Sequence, residues 1–235
     1  MFRFKQFSVT DDGATMKVGT DAVLLGALAD SGKTSAILDI GTGCGVIALI
    51  MAQRNPQASV DALEIDSASA NVAAYNFAIS PWSDRLRVYG ASVQEFARTS
   101  QRTYGCIVSN PPYFRHSLKS PSETRNMARH ADTLPFGELA GAVATLLSPD
   151  GTFTAILPCP EADDFIATAK EQNLFCQKVI SVFSKPQGTP LRKVIVLGRN
   201  ATAMPAVSQM AIYDSTGGYS EQYRSLTADL YLWEK

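Results

Sequence analysis

Asn110-Pro111-Pro112-Tyr113 is a stretch whose residue types and order could do chemistry. Proline has no N–H and holds φ near −65°, so the two prolines make a stiff loop rich in acceptors. The Asn110 side-chain oxygen and the Pro111 carbonyl can each accept from an NH2 group, and Tyr113 offers a ring for a planar base or amide to stack on. An exocyclic aromatic amine is a poor nucleophile because its lone pair is delocalised into the ring. Two acceptors gripping its protons favour a pyramidal nitrogen and aim the lone pair outward. Positioning and electrostatics would then carry the reaction without a His, Asp or Cys base. Asn110, Pro111, Pro112 and Tyr113 are therefore the catalytic candidates.

A second group lies upstream. Asp39-Ile40-Gly41-Thr42-Gly43-Cys44-Gly45 joins an apolar strand to a helix, the place where open α/β sheets bind ligands beyond their strand ends. Glycine has no β-carbon to hold a ligand off the backbone. The spacing is G-x-G-x-G, not the G-x-G-x-x-G that seats a dinucleotide pyrophosphate, which counts against an NAD-dependent oxidoreductase. Glu64, at the end of the next strand, is placed to accept from both hydroxyls of a ribose. Turn and acid together predict a nucleoside-containing ligand.

The glycine turn resembles motif I of the class I S-adenosylmethionine methyltransferases. The tetrapeptide resembles that of the amino-methyltransferases acting on adenine in DNA or RNA, guanine in ribosomal RNA, or glutamine in release factors. The resemblance implies S-adenosyl-L-methionine as cofactor. It implies Asp39, Gly41 and Gly43, with Gly45 in the same turn, at the methionine and ribose end, Glu64 on the ribose, and Asn110 between cofactor and substrate. Where such enzymes usually present an acid to the adenine amine, this chain has Ser92 in Gly90-Ala91-Ser92-Val93. Phe4-Lys5-Gln6-Phe7, Met16 to Gly26, and Tyr219 to Thr227 are similar to the bacterial tRNA adenine methyltransferases that modify adenine 37 beside the valine anticodon. That similarity runs over nearly the whole chain. It implies tRNA as partner, a place for Lys17, Thr20 and Asp21 near the methionine carboxylate or amine, and a substrate-contacting insertion from Phe114 to His130. The alternative is an enzyme of the same class acting on ribosomal RNA or a protein glutamine; a non-catalytic RNA-binding protein is a third reading.

Composition is compatible with this. With 46% hydrophobic and 18% charged residues, the 235-residue chain has enough apolar material for a core. Its longest apolar stretches, Val23 to Ala29 and Val46 to Ala52, fall far short of the ~20 residues of a membrane helix, so no membrane span is expected. Met1 to Phe7 alternates apolar and basic residues and does not read as a secretory signal, which makes the cytoplasm the expected compartment. Cys44, Cys106, Cys159 and Cys176 are far apart, and only His116 and His130 could assist them, so neither disulfides nor a metal is expected. A monomer is the expected state. The net charge of −1 does not by itself nominate a nucleic acid. Basic residues nevertheless gather in two segments: Arg98, Arg102, Arg115, Lys119, Arg125 and Arg129, then Lys170, Lys178, Lys185, Arg192, Lys193 and Arg199. Brought to one face they would attract RNA phosphates.

These residues need a frame. From Ala36 onward, short apolar runs alternate with segments of helical period, the βαβ signature of a sheet covered on both faces. Strands are expected at Ala36 to Ile40, Ser59 to Ile65, Leu86 to Tyr89, Gly105 to Ser109, Thr152 to Leu157, Phe175 to Phe183 and Lys193 to Leu197. Helices are expected at Val46 to Arg54, Ala68 to Ile79, Leu134 to Leu147 and Ala162 to Gln172. The last two strands are too close for a crossover helix and should pair antiparallel. The expected class is α/β: a Rossmann-like, seven-stranded, mostly parallel sheet with helices on both faces and an antiparallel last strand. Before it, Phe2 to Val9 and Thr15 to Val18 read as a hairpin around Asp11-Asp12-Gly13, followed by a helix at Ala22 to Ala29 capped by Thr20 or Asp21. After Pro205, a strand near Gln209 to Tyr213 and a helix near Ser220 to Leu232 are expected. The chain reads as one domain: 1–34 capping the cofactor pocket, 35–200 the core, 201–235 an extension.

Overall fold

The computed structural model describes residues 1–112 and 134–233. Strands β1 (Phe2–Arg3) and β2 (Ser8–Val9) form a small ribbon, followed by α1 (Thr20–Leu28). The core runs β3 (Ala36–Ile40), α2 (Val46–Arg54), β4 (Ser59–Leu63), α3 (Ser67–Ala78), β5 (Leu86–Tyr89), α4 (Val93–Thr99) and β6 (Tyr104–Ser109). It continues α5 (Phe136–Leu146), β7 (Leu147–Leu157), α6 (Cys159–Glu171), β8 (Phe175–Phe183) and β9 (Pro190–Gly198), then β10 (Ala206–Ala211) and α7 (Glu221–Leu226).

The large sheet has the order β10-β8-β9-β7-β6-β3-β4-β5. Its strands pair parallel except at β9, which is antiparallel to both β7 and β8. The chain enters at β3, steps outward to β4 and β5, then returns to the other side of β3 with β6. That reversal leaves a crevice beyond the carboxyl ends of β3 and β6. Ile40 of β3 is in register with Ser109 of β6, so Gly41 and Asn110 follow from neighbouring strand ends. Ile37, Leu38, Val60, Leu63, Ile107 and Val108 are fully or almost fully buried, as required of strands covered on both faces. One apolar layer joins α1 and α2 to the sheet, and the other joins α5 and α6.

Several local expectations are corrected. The N-terminal ribbon turns at Phe4–Phe7, where the Phe4 N–H donates to the Phe7 carbonyl at 2.9 Å and the two rings stack 4.4 Å apart; 15–18 form no strand. Burial of those rings, not the Asp-Asp-Gly turn, sets the reversal. Helix α1 starts at Thr20 with Gly19 as its N-cap and no side-chain cap, and Asp21 instead pairs with Arg192 Nε at 2.8 Å. Strand β10 starts earlier than expected and lies parallel to β8, adding an eighth strand at the edge. Helix α7 stops at Leu226, and beyond it Tyr231 and Trp233 turn back onto Phe4, Tyr219 and Tyr223. Helix α4 was not anticipated, although Ser92 and Glu95 form a capping box that the S-x-x-E spacing announces.

Candidate functional site

The turn after β3 is built around buried acids. Asp39 is wholly buried; its Oδ2 accepts from Thr42 Oγ1 at 2.6 Å and from the Ala48 N–H of α2 at 3.2 Å, while its Oδ1 has no partner among the described residues. Burial pushes its carboxyl up to about 7, only partly opposed by those two hydrogen bonds, and the nearby Glu64 pushes in the same direction. Glu64 reaches across from the end of β4. Its Oε2 accepts from the Gly43 N–H at 2.8 Å and its Oε1 from the Asp66 N–H at 3.0 Å. An ionised carboxylate accepts at about four positions, so two of these bonds hold the turn and capacity is left over. Gly41, Gly43 and Gly45 all have positive φ, 71°, 57° and 84°.

Asn110 stands one residue beyond β6. It is 8% exposed, and its Oδ1 has no hydrogen-bond partner among the described residues. Pro111 is buried and Pro112 exposed; Tyr113 lies outside the described residues. A cavity of about 260 Å³ opens where these pieces meet, walled by the turn residues Gly41 to Cys44 with Val46 and Ile47 of α2 on one side, by residues of the segment before and at the start of α1 on another, and by Asn110. Lys17, Thr20, Gly41, Gly43 and Asn110 thus come together at one cavity. Asp39, Gly45, Glu64 and Ser92 lie outside its lining. Asp39 pins the turn from below, Glu64 ties it to β4, and Gly45 caps α2 against the Phe77 ring. Ser92 Oγ contacts Glu95 Oε2 at 2.9 Å and accepts from the Glu95 N–H at 3.2 Å, which makes it a helix cap.

Residues 14–139 match the model of the family described as the methyltransferase small domain. The chain belongs to this family. It is 44% identical to a Bacteroides thetaiotaomicron protein named tRNA1(Val) (adenine(37)-N6)-methyltransferase, over 98% of this chain and 97% of that protein. A Flavobacterium johnsoniae protein of the same name is 40% identical over 99% of both. Among solved structures, a predicted O-methyltransferase from Agrobacterium tumefaciens superposes with a TM-score of 0.70 at 16% identity, covering 92% of this chain and 99% of that one. TrmN from Thermus thermophilus gives 0.54 at 23% identity, covering 76% and 48%. These likenesses give the class I methyltransferase fold, with its antiparallel strand inside the sheet.

In this methyltransferase the segment before the motif is stitched down by residues that sequence reasoning missed. Asn76 of α3 is wholly buried: its Oδ1 accepts from the Thr10 N–H at 3.0 Å, and its Nδ2 donates to the carbonyls of Thr10 and Cys44, both at 2.8 Å. Ser69 Oγ accepts from the Thr15 N–H at 3.0 Å. An asparagine within an apolar helical face is the signal that would have flagged Asn76. Thr42 was missed as well, although it pairs with Asp39 and lines the cavity. Lys17 lies against Asp11 and Asp12, 3.9 Å from a carboxylate oxygen of each. Burial pushes the Cys44 thiol up to about 11, which keeps it protonated at the cavity wall and suits a packing role.

The expected basic face is partly corrected. Arg102 pairs with the buried Asp61 at 2.6 Å, Arg192 with Asp21, and Lys193 with Asp163 at 2.6 Å; Arg199 donates to the Ala144 and Leu147 carbonyls at the C-terminal end of α5. These four hold the fold together. Arg115, His116, Lys119, Arg125, Arg129 and His130 lie outside the described residues. Among the described residues no group of acids, histidines or cysteines could hold a metal, and no helix is long and apolar enough to cross a membrane.

Proposed function

We propose that this enzyme transfers a methyl group from S-adenosyl-L-methionine to the exocyclic N6 amine of adenine 37 in a valine tRNA. The observation that carries the reading is the Asn110 Oδ1: a buried acceptor with no partner among the described residues, on the wall of a cavity next to a glycine turn. A buried acceptor left unpaired costs about 1–3 kcal/mol, and an amine donor supplied by substrate removes that cost. The residues present also suit the cofactor. A β-carbon at Gly41 would meet open space, so backbone is exposed to a ligand there. Glu64 keeps acceptor capacity for ribose hydroxyls, and Lys17 and Thr20 line the end expected to take the methionine group. The names of relatives alike over nearly their whole length support tRNA over ribosomal RNA or a protein glutamine.

When bound, S-adenosyl-L-methionine supplies a methyl group on a positively charged sulfur that leaves as a neutral thioether. The chain's part is to orient the amine. Asn110 Oδ1 and the Pro111 carbonyl accept hydrogen bonds from its two N–H groups and direct the nitrogen lone pair toward the methyl donor, and the proton that the methylated amine sheds passes to water; the ring of Tyr113 is the group proposed to stack on the base. Proline at 111 and 112 fixes the backbone that holds those acceptors. Asp39 and Glu64 act on the turn, keeping its N–H groups aligned. We further infer that the N-terminal segment and the C-terminal extension work with the core as one domain, and that the chain acts as a cytoplasmic monomer.

The test is methylation of unmodified tRNA with labelled S-adenosyl-L-methionine, followed by mapping of the modified nucleotide. The product is expected as N6-methyladenosine at position 37 of valine tRNA. Asn110→Ala should lower kcat by ~10²–10³-fold, the scale for losing one preorganised hydrogen-bonding group, while cofactor affinity measured by calorimetry stays within about threefold. Label on another RNA or on protein, or undiminished turnover by the variant, would refute the proposal.

A further inference from the structure

A second cavity, of about 400 Å³, opens beside the first and shares Gly19 and Thr20 with it as a common wall. Its other walls are Val18, Phe2 and Arg3 of β1, and Tyr219, Tyr231, Leu232 and Trp233 of the extension. The rings brace one another. Tyr219 and Trp233 lie 5.0 Å apart edge to face, Tyr231 and Trp233 5.4 Å, and Phe2 and Tyr231 6.0 Å, distances at which aromatic pairs lock each other's orientation. Phe2 and Tyr219 nevertheless remain 41% and 40% exposed, Tyr219 keeping that surface although it also stacks on Tyr213 at 5.1 Å and Tyr223 at 5.4 Å. The Trp233 indole N–H is buried and has no acceptor among the described residues.

We propose that this aromatic shelf seats an unpaired nucleobase of the RNA substrate, a close neighbour of the adenine presented to Asn110. The inference rests on the tRNA reading above and deepens it. Bases of a single-stranded loop are recognised by stacking on aromatic rings, which is how proteins read RNA outside its helices. The unpartnered indole N–H matches a carbonyl or ring nitrogen on a base edge, and Arg3 puts a cation beside the shelf for the linking phosphate. The shared wall makes both cavities accessible to one short stretch of strand. An aliphatic occupant would answer neither the indole N–H nor the arginine.

The experiment uses the full-length enzyme and Tyr219→Ala, Tyr219→Phe and Phe2→Ala, each checked for an unchanged fold by circular dichroism and thermal unfolding. Kinetics with unmodified valine tRNA should show KM for RNA raised about 5- to 150-fold in both alanine variants, the range that base–aromatic stacking gives on alanine substitution. Cofactor affinity and kcat should stay within about twofold, and Tyr219→Phe should behave like the parent. Removing the base at one position of the loop should reproduce the KM rise in the parent and add nothing to Tyr219→Ala. In a Trp82→Phe background, Trp233 emission should be quenched by an anticodon stem-loop and not by its abasic counterpart. An unchanged KM in both alanine variants, or quenching by a hydrophobic peptide but not by RNA, would overturn the shelf while leaving the methylation reading standing. Quenching by loop RNA that Tyr219→Ala abolishes, in an enzyme that methylates no tRNA, would support the shelf and reject the methylation reading.

Discussion

Gly45→Ala separates the two jobs that glycines perform in the turn after β3. At φ 84° a residue with a β-carbon costs about 1–2 kcal/mol more than glycine. A β-carbon there would stand 2.5 Å from Phe77 Cε1, 3.1 Å from its Cζ and 3.4 Å from Ala73 Cβ. Phe77 is buried in the core, so relief requires α3 to shift, and overpacking of this kind costs about 1–3 kcal/mol. The sum is about 2–5 kcal/mol, and a chain of this size loses about 2–4 °C per kcal/mol. The melting temperature measured by calorimetry should therefore fall by roughly 4–20 °C. Gly41→Ala is the control: its φ of 71° carries the same backbone cost, but its β-carbon meets nothing within 4 Å. It should lose only about 1–2 kcal/mol of stability, while its methyl group, at the cavity wall, weakens cofactor binding. Phe77→Leu should soften the loss at Gly45→Ala and make the pair non-additive. Equal losses for Gly41→Ala and Gly45→Ala would refute the packing argument.

Two further perturbations test the supports of the site. Asn76→Leu removes the bonds from α3 to Thr10 and Cys44 and leaves buried backbone groups unpaired, so stability should fall by about 2–4 kcal/mol. Hydrogen exchange in residues 10–18 should speed up with it, and unchanged exchange there would reject Asn76 as the tie. Asp39 makes stability depend on pH. Its folded-state pKa of about 7 lies above that of an unfolded carboxyl, so folding takes up a proton between about pH 4 and 7. The stabilisation this gives is complete below about pH 4 and is lost as pH rises through about 7. Asp39→Asn keeps an oxygen for Thr42 and Ala48 but does not titrate, so it should lose less stability than the parent over that window. Parallel curves of melting temperature against pH would contradict this.

Much of the frame was readable because the chemistry of β3 and α2 is local. An apolar run, a glycine turn and a second apolar run stopped by Pro56 leave little freedom, and α2 falls at Val46–Arg54 as expected. The short loop before β9 likewise forces an antiparallel pair. The N-terminal ribbon was misread because Asp11-Asp12-Gly13 has turn chemistry, while the decisive event is non-local: Phe7 packs edge to face on Trp82, and Phe4 stacks on Tyr231 from the far end of the chain. The internal partners of Arg102, Arg192, Lys193 and Arg199 were invisible for the same reason. Counting lysines and arginines gives their charge but not what they meet. Arg102, in the loop before β6, is held by Asp61 of β4, about forty residues away in the sequence.

Two asparagines show where residue type stops being informative and geometry takes over. Asn76 and Asn110 are both buried amides, one behind the glycine turn and one on the cavity wall. Asn76 spends its side chain on three backbone groups, joining the N-terminal segment to the glycine turn. Asn110 leaves its oxygen unpaired on the cavity wall. Among the described residues other buried acceptors also lack partners, on Asp39, Gln53, Asp61, Thr154 and Glu161, but none of those residues lines the cavity. An unmet acceptor in the core is a stability cost; an unmet acceptor facing a ligand space is a binding capacity. The conjunction of orphaned oxygen and open wall, and not the asparagine itself, distinguishes the residue proposed to grip a substrate amine from the residue that ties the N-terminal segment to the turn.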